Sequence, residues 1–358
     1  THDAVTRIAY DTETFSNCGP LVSTLPPFNT PATLGNTPLE TDPPYHSSVR
    51  RPILPYFSPK KIDAMEDEVR QMCRDLLDDM GDAEQVDGAL DYAQHVSTIV
   101  TAKMLGFPLE DADKIRQWVK AGFEGVNHPP EERMAQHFEK EAYLDQLIDD
   151  HRREPRDDVT TFLIENATLD GEPWTQDRIR TNLHLILVAG VDTTWSSIGS
   201  SIWHLAQHPD DVARLRAEPE LWPTAVEELL RVYAPLTMAR KVTKPVEFEG
   251  CPMNEGDWVL LPYPAANIDP SVWGDDATDV VIDRKENRHY TFGLGVHRCL
   301  GSNLARLEMR VALEEFVQRY PRFELVDPDA VTWSVGQIKG PKSVPLRILE
   351  RADRAAAT

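Results

Sequence analysis

The residues best suited to carry out chemistry lie in one ten-residue segment, 292–301, with the sequence Phe-Gly-Leu-Gly-Val-His-Arg-Cys-Leu-Gly. Its three glycines allow the backbone to turn tightly and to approach a flat ligand closely. Cys299 comes just before a predicted helix, whose N-terminal partial charge and free N–H groups stabilise a thiolate and lower its pKa. A thiolate there is an iron ligand or a nucleophile, with His297 as the only base nearby in sequence. An inert, buried cysteine beside a glycine-rich turn is the other interpretation.

A second group of chemically useful residues lies in a long apolar stretch, where residues 189–194 read Ala-Gly-Val-Asp-Thr-Thr. Gly190 removes a side chain where a flat cofactor or O2 has to approach. The acid and the hydroxyl of Asp192 and Thr193 can relay protons to bound oxygen. Two structural interpretations stay open: Thr193 bonds to the carbonyl of Ala189 and bends the helix, or Asp192 is an ion-pair partner.

Predicted helices position both segments. Thr175 is a suitable N-cap for a helix of roughly 32 residues, which would span about 48 Å and end near Gln207. Residues 58–166 are mostly helical by their apolar spacing, and further helices are predicted for 222–233 and 301–320. Short strands are predicted around residues 246–248, 258–261, 333 and 344–348, and residues 263–290 have an irregular pattern.

Composition excludes several classes of protein. The 358 residues carry a formal net charge of −22, which argues against a nucleic-acid surface. Four cysteines lie far apart without a CxxC pair, so we expect neither a disulfide framework nor a zinc ribbon, and a cytoplasmic location fits best. No run of 18 apolar residues is present, so no membrane span is expected.

Segment 292–301 resembles the cysteine loop of the cytochrome P450 family, F-G-x-G-x-H/R-x-C-x-G, at every fixed position. The resemblance implies that Cys299 is the axial thiolate ligand of haem b, iron protoporphyrin IX. It also implies that Phe292 packs against the haem and the sulfur, and that backbone N–H groups up to Gly301 tune the iron. Thiolate ligation favours O–O cleavage.

The resemblance extends to two further helical segments. Residues 189–194 resemble the family's oxygen-activation segment, A/G-G-x-D/E-T, which implies proton delivery by Asp192 and Thr193 and haem contacts at Ala189 and Gly190. Glu228 and Arg231 match the family's E-x-x-R motif. This match implies a buried, structural charge network, which Arg284 would complete.

The haem propionates need cationic or hydrogen-bonding partners, and the family takes them from three regions. Residues 42–50 resemble its D-P-P-x-H-x-x-x-R segment, which assigns His46 and Arg50 to this role. Arg240 matches the arginine on the strand after the E-x-x-R helix. His289 and His297 match positions that flank the cysteine loop.

The implied fold is mainly α with small β-sheets, the cytochrome P450 fold, with the haem between the long central helix and the cysteine-loop helix. Residues 1–358 form a single catalytic domain, in which the family's usual N-terminal helix and first strand have no match. Ile268 stands where many relatives have arginine.

The implied function is a bacterial-type monooxygenase that inserts one oxygen atom from O2 into a C–H bond of a small to medium hydrophobic substrate. No dinucleotide or flavin segment is present, so the electrons are expected from a ferredoxin and its NAD(P)H-dependent reductase. A basic docking face for the ferredoxin is predicted, with ordinary solvated charge as the alternative; its residues would be Arg50, Arg51, Lys60, Lys61, Arg298, Arg306 and Arg310.

Two other functions stay open at this point: a peroxide-dependent haem-thiolate enzyme, and a haem-based sensor or binding protein. The Asp192–Thr193 pair argues against both, because neither needs proton delivery to O2. The predicted substrate pocket is mainly apolar, which favours a hydrophobic molecule. Its walls are the 18–44 segment, residues around 185–189 and 337, and, more specifically, Val188, Leu236, Thr237, Met238 and Ile338.

Overall fold

The computed structural model describes residues 1–18, 37–124, 129–334 and 336–352. Most of the predicted 18–44 pocket wall therefore lies outside the described residues. The first half of the fold is helical: α1 His2–Tyr10, α2 Tyr45–Arg50, α3 Pro59–Asp63, α4 Glu66–Asp79, a π-helical turn Gly88–Ala93, α5 Gln94–Leu105, α6 Ala112–Glu124, α7 Pro130–Arg153 and α8 Val159–Asn166.

The second half begins with the longest helix described, α9, at Gln176–Leu205. The hydroxyl oxygen of Thr175 accepts a hydrogen bond from the Arg178 N–H, so this residue is the N-cap that the sequence predicts. The remaining helices are α10 Pro209–Ala217, α11 Trp222–Val232, α12 Tyr263–Ala266, α13 Pro270–Trp273 and α14 Ser302–Arg319.

All the described strands pair antiparallel and form small sheets. Two sheets have three strands, in the orders β1-β5-β8 and β2-β12-β9, and the pairs β3-β4, β6-β7 and β10-β11 stand alone. The strands are β1 Phe15–Ser16, β2 Gln85–Asp87, β3 Thr168–Leu169, β4 Glu172–Pro173, β5 Thr237–Val242, β6 Val246–Phe248, β7 Cys251–Met253, β8 Trp258–Pro262, β9 Arg322–Leu325, β10 Thr332–Trp333, β11 Pro341–Ser343 and β12 Pro345–Glu350.

Helix α9 lies at the centre of the main core. It packs against α5, α6, α7, α8 and α14. Leu183, Leu187, Val191 and Ile198 are fully buried, as the apolar pattern of this stretch predicts. A second, smaller core lies between α1, α12 and the β1-β5-β8 sheet. The prediction of a mainly α fold with small sheets is confirmed.

The sequence was less informative for residues 263–290, which were predicted to be irregular. Two one-turn helices, α12 and α13, form there. Each has a proline in its first turn, where the missing N–H is not needed, and four residues are too few to show a helical repeat. Among the residues that the structure describes, none of the helices combines the length and the apolar character that a bilayer crossing requires.

Candidate active site

The cysteine loop is a tight turn that ends at the start of α14. The Cys299 N–H donates to the Phe292 carbonyl at 2.7 Å, which closes the loop on itself. Gly293 and Gly295 have φ values of +66° and +62°, a conformation that L side chains rarely adopt. A Cβ on Gly295 would also lie only 3.1 Å from the Ala9 carbonyl oxygen of α1. Two of the three glycines are therefore required by backbone geometry.

Cys299 lies near the end of the cysteine loop, three residues before α14 begins. The residue is exposed, yet the protein around the sulfur is dense enough that burial raises the pKa of its thiol. The Gly301 N–H and the charges of Arg50, Arg306 and Arg298 lower the pKa, but their combined effect is smaller than that of burial. The N–H group at the start of α14 thus acts in the expected direction, but the expected net lowering of this pKa is wrong because burial outweighs it. A metal ion on the sulfur would favour the thiolate strongly.

One face of α9 is left partly uncovered by the described residues. Ala189 is exposed and Thr193, one turn later, is partly exposed, although Leu187, Val191 and Asp192 beside them are buried. The Thr193 hydroxyl donates to the Ala189 carbonyl at 2.7 Å, so the structural interpretation of this threonine is present in the fold. This hydroxyl therefore stands on the open face of the helix.

The structure gives a physical reason for a glycine at position 190 that differs from the predicted approach of a cofactor or O2. A Cβ at this position would lie 3.2 Å from the Thr101 hydroxyl oxygen of α5, closer than most side-chain contacts. The missing side chain therefore allows α5 and α9 to pack closely. Its predicted haem contact, through the backbone, stays a prediction.

Four of the five predicted propionate partners lie near one another. The rings of His46 and His297 are 4.4 Å apart, and Arg50 donates to the Arg298 carbonyl beside the cysteine. Asp42 lies 3.8 Å from His297 Nε2 and interacts electrostatically with His46 and Arg240. Residues distant in sequence, from α2, β5 and the cysteine loop, thus converge on one place.

Three of these side chains carry buried polar atoms without a hydrogen-bond partner among the described residues: both ring nitrogens of His46, Nε2 of His297 and Nε of Arg240. Buried polar groups are normally paired. Burial lowers the pKa of His46 to about 4 and that of His297 to about 3. Donors in this state suit an anionic group, so the residues present fit a haem with its propionates above an exposed thiol.

His289 is separate from this group. Its Nε2 lies 3.2 Å from the Glu227 carboxylate, and its Nδ1 accepts from the Thr291 N–H. Glu227 also binds the Arg306 guanidinium, and its pKa is lowered to about 2, where these partners outweigh the effect of burial. The haem contact predicted for His289 stays a prediction.

The E-x-x-R pair forms the centre of a buried polar network. Glu228 and Arg231 are both fully buried, and their side chains meet through two hydrogen bonds of 2.8 and 2.7 Å. Arg231 also donates to backbone carbonyls of the 267–279 segment. The other donors to the Glu228 carboxylate are Arg284 Nε, Asn287 Nδ2 and the Val281 N–H. This network fixes the segment that leads to the cysteine loop.

The predicted pocket residues lie in two places. Leu236 and Ile338 form a β-bridge, and the Thr237 N–H donates to the Gln337 carbonyl. Gln337 also reaches Met238 Sδ, so four of the five residues belong to one turn-and-strand contact. Val188 lies on α9 and is partly buried.

Ion pairs among the described residues neutralise part of the predicted basic face. Arg306 pairs with Glu227, Arg310 with Glu66 and Glu314, and Lys61 with Asp157. Arg51, Lys60 and Arg298 are exposed.

Two contributors to the site were missed by sequence reasoning. Tyr263 bonds to the Arg240 side chain, and Asn287 binds Glu228. Neither residue type stands out in sequence, and both partners lie more than 20 positions away.

Comparison with known proteins agrees with this arrangement. The family model for cytochrome P450 matches residues 128–332. The polyketide biosynthesis cytochrome P450 PksS of Bacillus subtilis (strain 168) is 31% identical over 314 residues, 87% of this chain and 77% of that protein. Mycinamicin IV hydroxylase/epoxidase of Micromonospora griseorubida is 32% identical over 335 residues, 92% of this chain and 84% of the relative.

Among solved structures, CYP109E1 from Bacillus megaterium in complex with testosterone superposes with a TM-score of 0.86. The two share 28% sequence identity over 98% of this chain and 91% of the other. Fold and sequence together define a haem-dependent oxidoreductase. The chain belongs to the cytochrome P450 family and is a cytochrome P450 monooxygenase.

Proposed function

We propose that this enzyme holds haem b through Cys299 and inserts one oxygen atom from O2 into a C–H bond of a hydrophobic substrate. The observation that carries the proposal is the exposed Cys299 thiol, near buried donors that have no hydrogen-bond partner among the described residues. When bound, the haem supplies O2 binding and cleavage, and a thiolate ligand favours that cleavage. The chain's own residues hold the cofactor, move protons and bind the substrate.

His46, Arg50, Arg240 and His297 hold the propionates in this proposal. The buried nitrogen atoms of His46, Arg240 and His297 would gain hydrogen bonds that they lack among the described residues. Hydrogen bonds to an anion are about twice as strong as those between neutral groups. Phe292 stands at the start of the loop, where the Arg306 guanidinium lies over its ring at 4.4 Å and fixes its position.

Thr193 and Asp192, both on α9, deliver protons in this proposal. The Thr193 hydroxyl is both a donor and an acceptor, and it lies on the open face of the helix. While it donates to the Ala189 carbonyl, its oxygen can still accept a hydrogen bond from a donor on the open side of the helix. Asp192, the preceding residue, is buried, and we assign to it the role of the acid that resupplies the proton passed on through Thr193.

The substrate in this proposal is a small to medium hydrophobic molecule. The wall formed by Leu236, Met238 and Ile338 is apolar, and Thr237 adds a single hydroxyl. One relative carries polyketide biosynthesis in its description, and a solved relative binds testosterone. Both descriptions support a substrate that is larger than a few carbon atoms and mostly nonpolar.

We assign electron delivery to a ferredoxin with an NAD(P)H-dependent reductase. The cations Arg51, Lys60 and Arg298 are exposed and suit an acidic partner, and Arg298 adjoins Cys299 in the cysteine loop. Because Arg306, Arg310 and Lys61 are neutralised in ion pairs, only the first three are assigned to this docking face. A cytoplasmic location is part of the proposal, since Cys18, Cys73, Cys251 and Cys299 are all unpaired thiols.

The absorption spectrum of the reduced, carbon monoxide-bound protein tests the ligand. Thiolate ligation is expected in the wild type, and Cys299→His is expected to give the spectrum of a histidine-ligated haem. A wild-type protein without haem, or with the histidine-type spectrum, would overturn the proposal.

Turnover with purified ferredoxin and reductase, compared with turnover on hydrogen peroxide, tests the electron source. Product formed only with peroxide would identify a peroxide-dependent enzyme. Binding of hydrophobic ligands without product under either condition would identify a sensor or binding protein.

A further inference from the structure

A cluster of metal-ligating side chains lies outside the haem site, between α7 and α9. His137 and Glu141 are four residues apart on one face of α7, and His184 faces them from α9. One ligand atom from each residue lies within 4.8 Å of the others. The His137 and His184 rings are 6.1 Å apart at a steep angle, so their nitrogen atoms can point toward one centre.

The geometry points to a binding site for one zinc-class divalent ion, held by His137, Glu141 and His184, that clamps α7 to α9. Two imidazoles and one carboxylate are a common three-residue zinc set, with water as the fourth ligand. The side chains of His184 and Glu141 are 19% and 22% exposed, which gives the ion and its water a path from solvent. This site is independent of the haem and of the proposed reaction.

The surroundings orient the carboxylate. Arg180 Nε lies 2.6 Å from Glu141 Oε2, while Glu141 Oε1 lies 3.4 Å from His184 Nδ1. Arg180 is itself held by Asp145 and Asp177. Outer partners of this kind fix the direction of metal ligands.

The charges around the cluster select the class of ion. Lys140 is buried nearby, and the single carboxylate of the cluster is shared with Arg180. Magnesium and calcium depend on several oxygen ligands and on negative charge, which this cluster lacks. Zinc and its neighbours bind neutral imidazole well. The site is therefore expected to take zinc and to reject magnesium and calcium.

A second histidine cluster provides a matched control. His204, His208 and Asp211 also lie within ligand distance of one another. Both ring nitrogens of His204 are already engaged, with the Tyr233 hydroxyl at 2.9 Å and the Asp211 carboxylate at 3.0 Å. No lone pair of His204 is left for a metal in this arrangement, so this cluster carries no proposal.

The test is calorimetric titration of the haem-loaded protein with zinc chloride after removal of metals by a chelator. All samples carry Cys18→Ser and Cys251→Ser, because exposed thiols also bind zinc. We expect one zinc ion per chain and a rise of the melting temperature with zinc but not with magnesium or calcium. His137→Ala is expected to weaken binding at least about tenfold and to abolish the rise, and His208→Ala to change neither.

Zinc binding that is absent in the parent protein, or unchanged in His137→Ala, would overturn the proposal. His184→Gln gives a second arm with the same expectation, and the haem spectrum of each variant reports whether it has folded. Anomalous diffraction at the zinc edge would then show a peak between His137 and His184; a peak elsewhere also contradicts the assignment.

Discussion

The Thr193 hydroxyl donates to the carbonyl of Ala189 one turn earlier in α9, and it does so on a face of the helix that the described residues leave partly uncovered. A threonine that bonds back in this way contributes little to helix stability. Its value therefore lies in what the hydroxyl does on the open side. The structural and the functional interpretation of Thr193 are compatible, because its oxygen can still accept while its hydrogen is donated.

Replacement of this hydroxyl separates proton delivery from folding. Thr193→Ala is expected to lower product formed per electron pair consumed by about 100-fold or more, in the range of a lost proton-transfer group, with haem content unchanged. Thr193→Ser keeps the hydroxyl and should retain most of the wild-type coupling. Product and NAD(P)H consumption are measured together with ferredoxin and reductase present. Wild-type coupling in Thr193→Ala would remove Thr193 from the proton path.

The buried donors that are proposed to bind the propionates allow a test of how the haem is held. Arg240→Met and His46→Leu each remove one proposed propionate partner, and a hydrogen bond to a charged group contributes about 1.5–3 kcal/mol. Transfer of haem to an excess of a haem-scavenging protein is therefore expected to be about 10–100-fold faster in each variant. Arg347→Met serves as control, because Arg347 is an exposed residue of β12 that pairs with Glu324. Equal rates in all four proteins would show that these donors do not hold the cofactor.

The parts of the fold that were predictable from sequence are those with a local signal. Helix α9 was placed to within two residues at its C-terminus because its N-cap, apolar centre and following His-Pro are contiguous. The turn at the cysteine was predictable because glycine is required at positive φ, and that requirement is written in the residue type.

The parts that were not predictable depend on contacts between distant residues. The close packing at Gly190 depends on Thr101, 89 positions earlier, and the pKa of Cys299 depends on burial by elements across the molecule. The neutralisation of Arg306 required Glu227, which is 79 positions away. Charge counts along the sequence therefore overestimated the basic face, because ion-pair partners are set by tertiary structure.

His151 forms a buried ion pair with a testable pH dependence. Burial lowers the pKa of His151, but the hydrogen bonds to Asp158 and to the Leu147 carbonyl outweigh it, so the net pKa is raised above 6.5. The charged form is thus favoured in the folded state. Its contribution to the free energy of unfolding is fully present below pH 6.5 and is lost as the pH rises through the raised pKa.

We therefore compare the free energy of unfolding of the wild type and His151→Gln by urea titration from about pH 6 to pH 9. The wild type is expected to have its largest advantage at the acidic end, and the difference should shrink as pH rises. His208→Gln, on an exposed residue, controls for loss of a histidine as such. A difference that grows with pH would contradict the assignment of a raised pKa to His151.

The same ion pair makes Gly106 sensitive to a single added methyl group. Gly106 ends α5 at φ +81°, and a Cβ there would lie 2.4 Å from both Asp158 Oδ2 and His151 Nε2. Gly81 has a similar φ of +61°, but nothing lies within 4 Å of its Cβ position. Both alanine variants carry the cost of a left-handed residue, about 1–2 kcal/mol. Only Gly106→Ala also displaces the buried pair, so it should lose a further 1–3 kcal/mol or so, as overpacked sites do. Urea unfolding of the two variants measures this difference directly, and equal losses would mean that the His151–Asp158 pair does not depend on the space that Gly106 leaves.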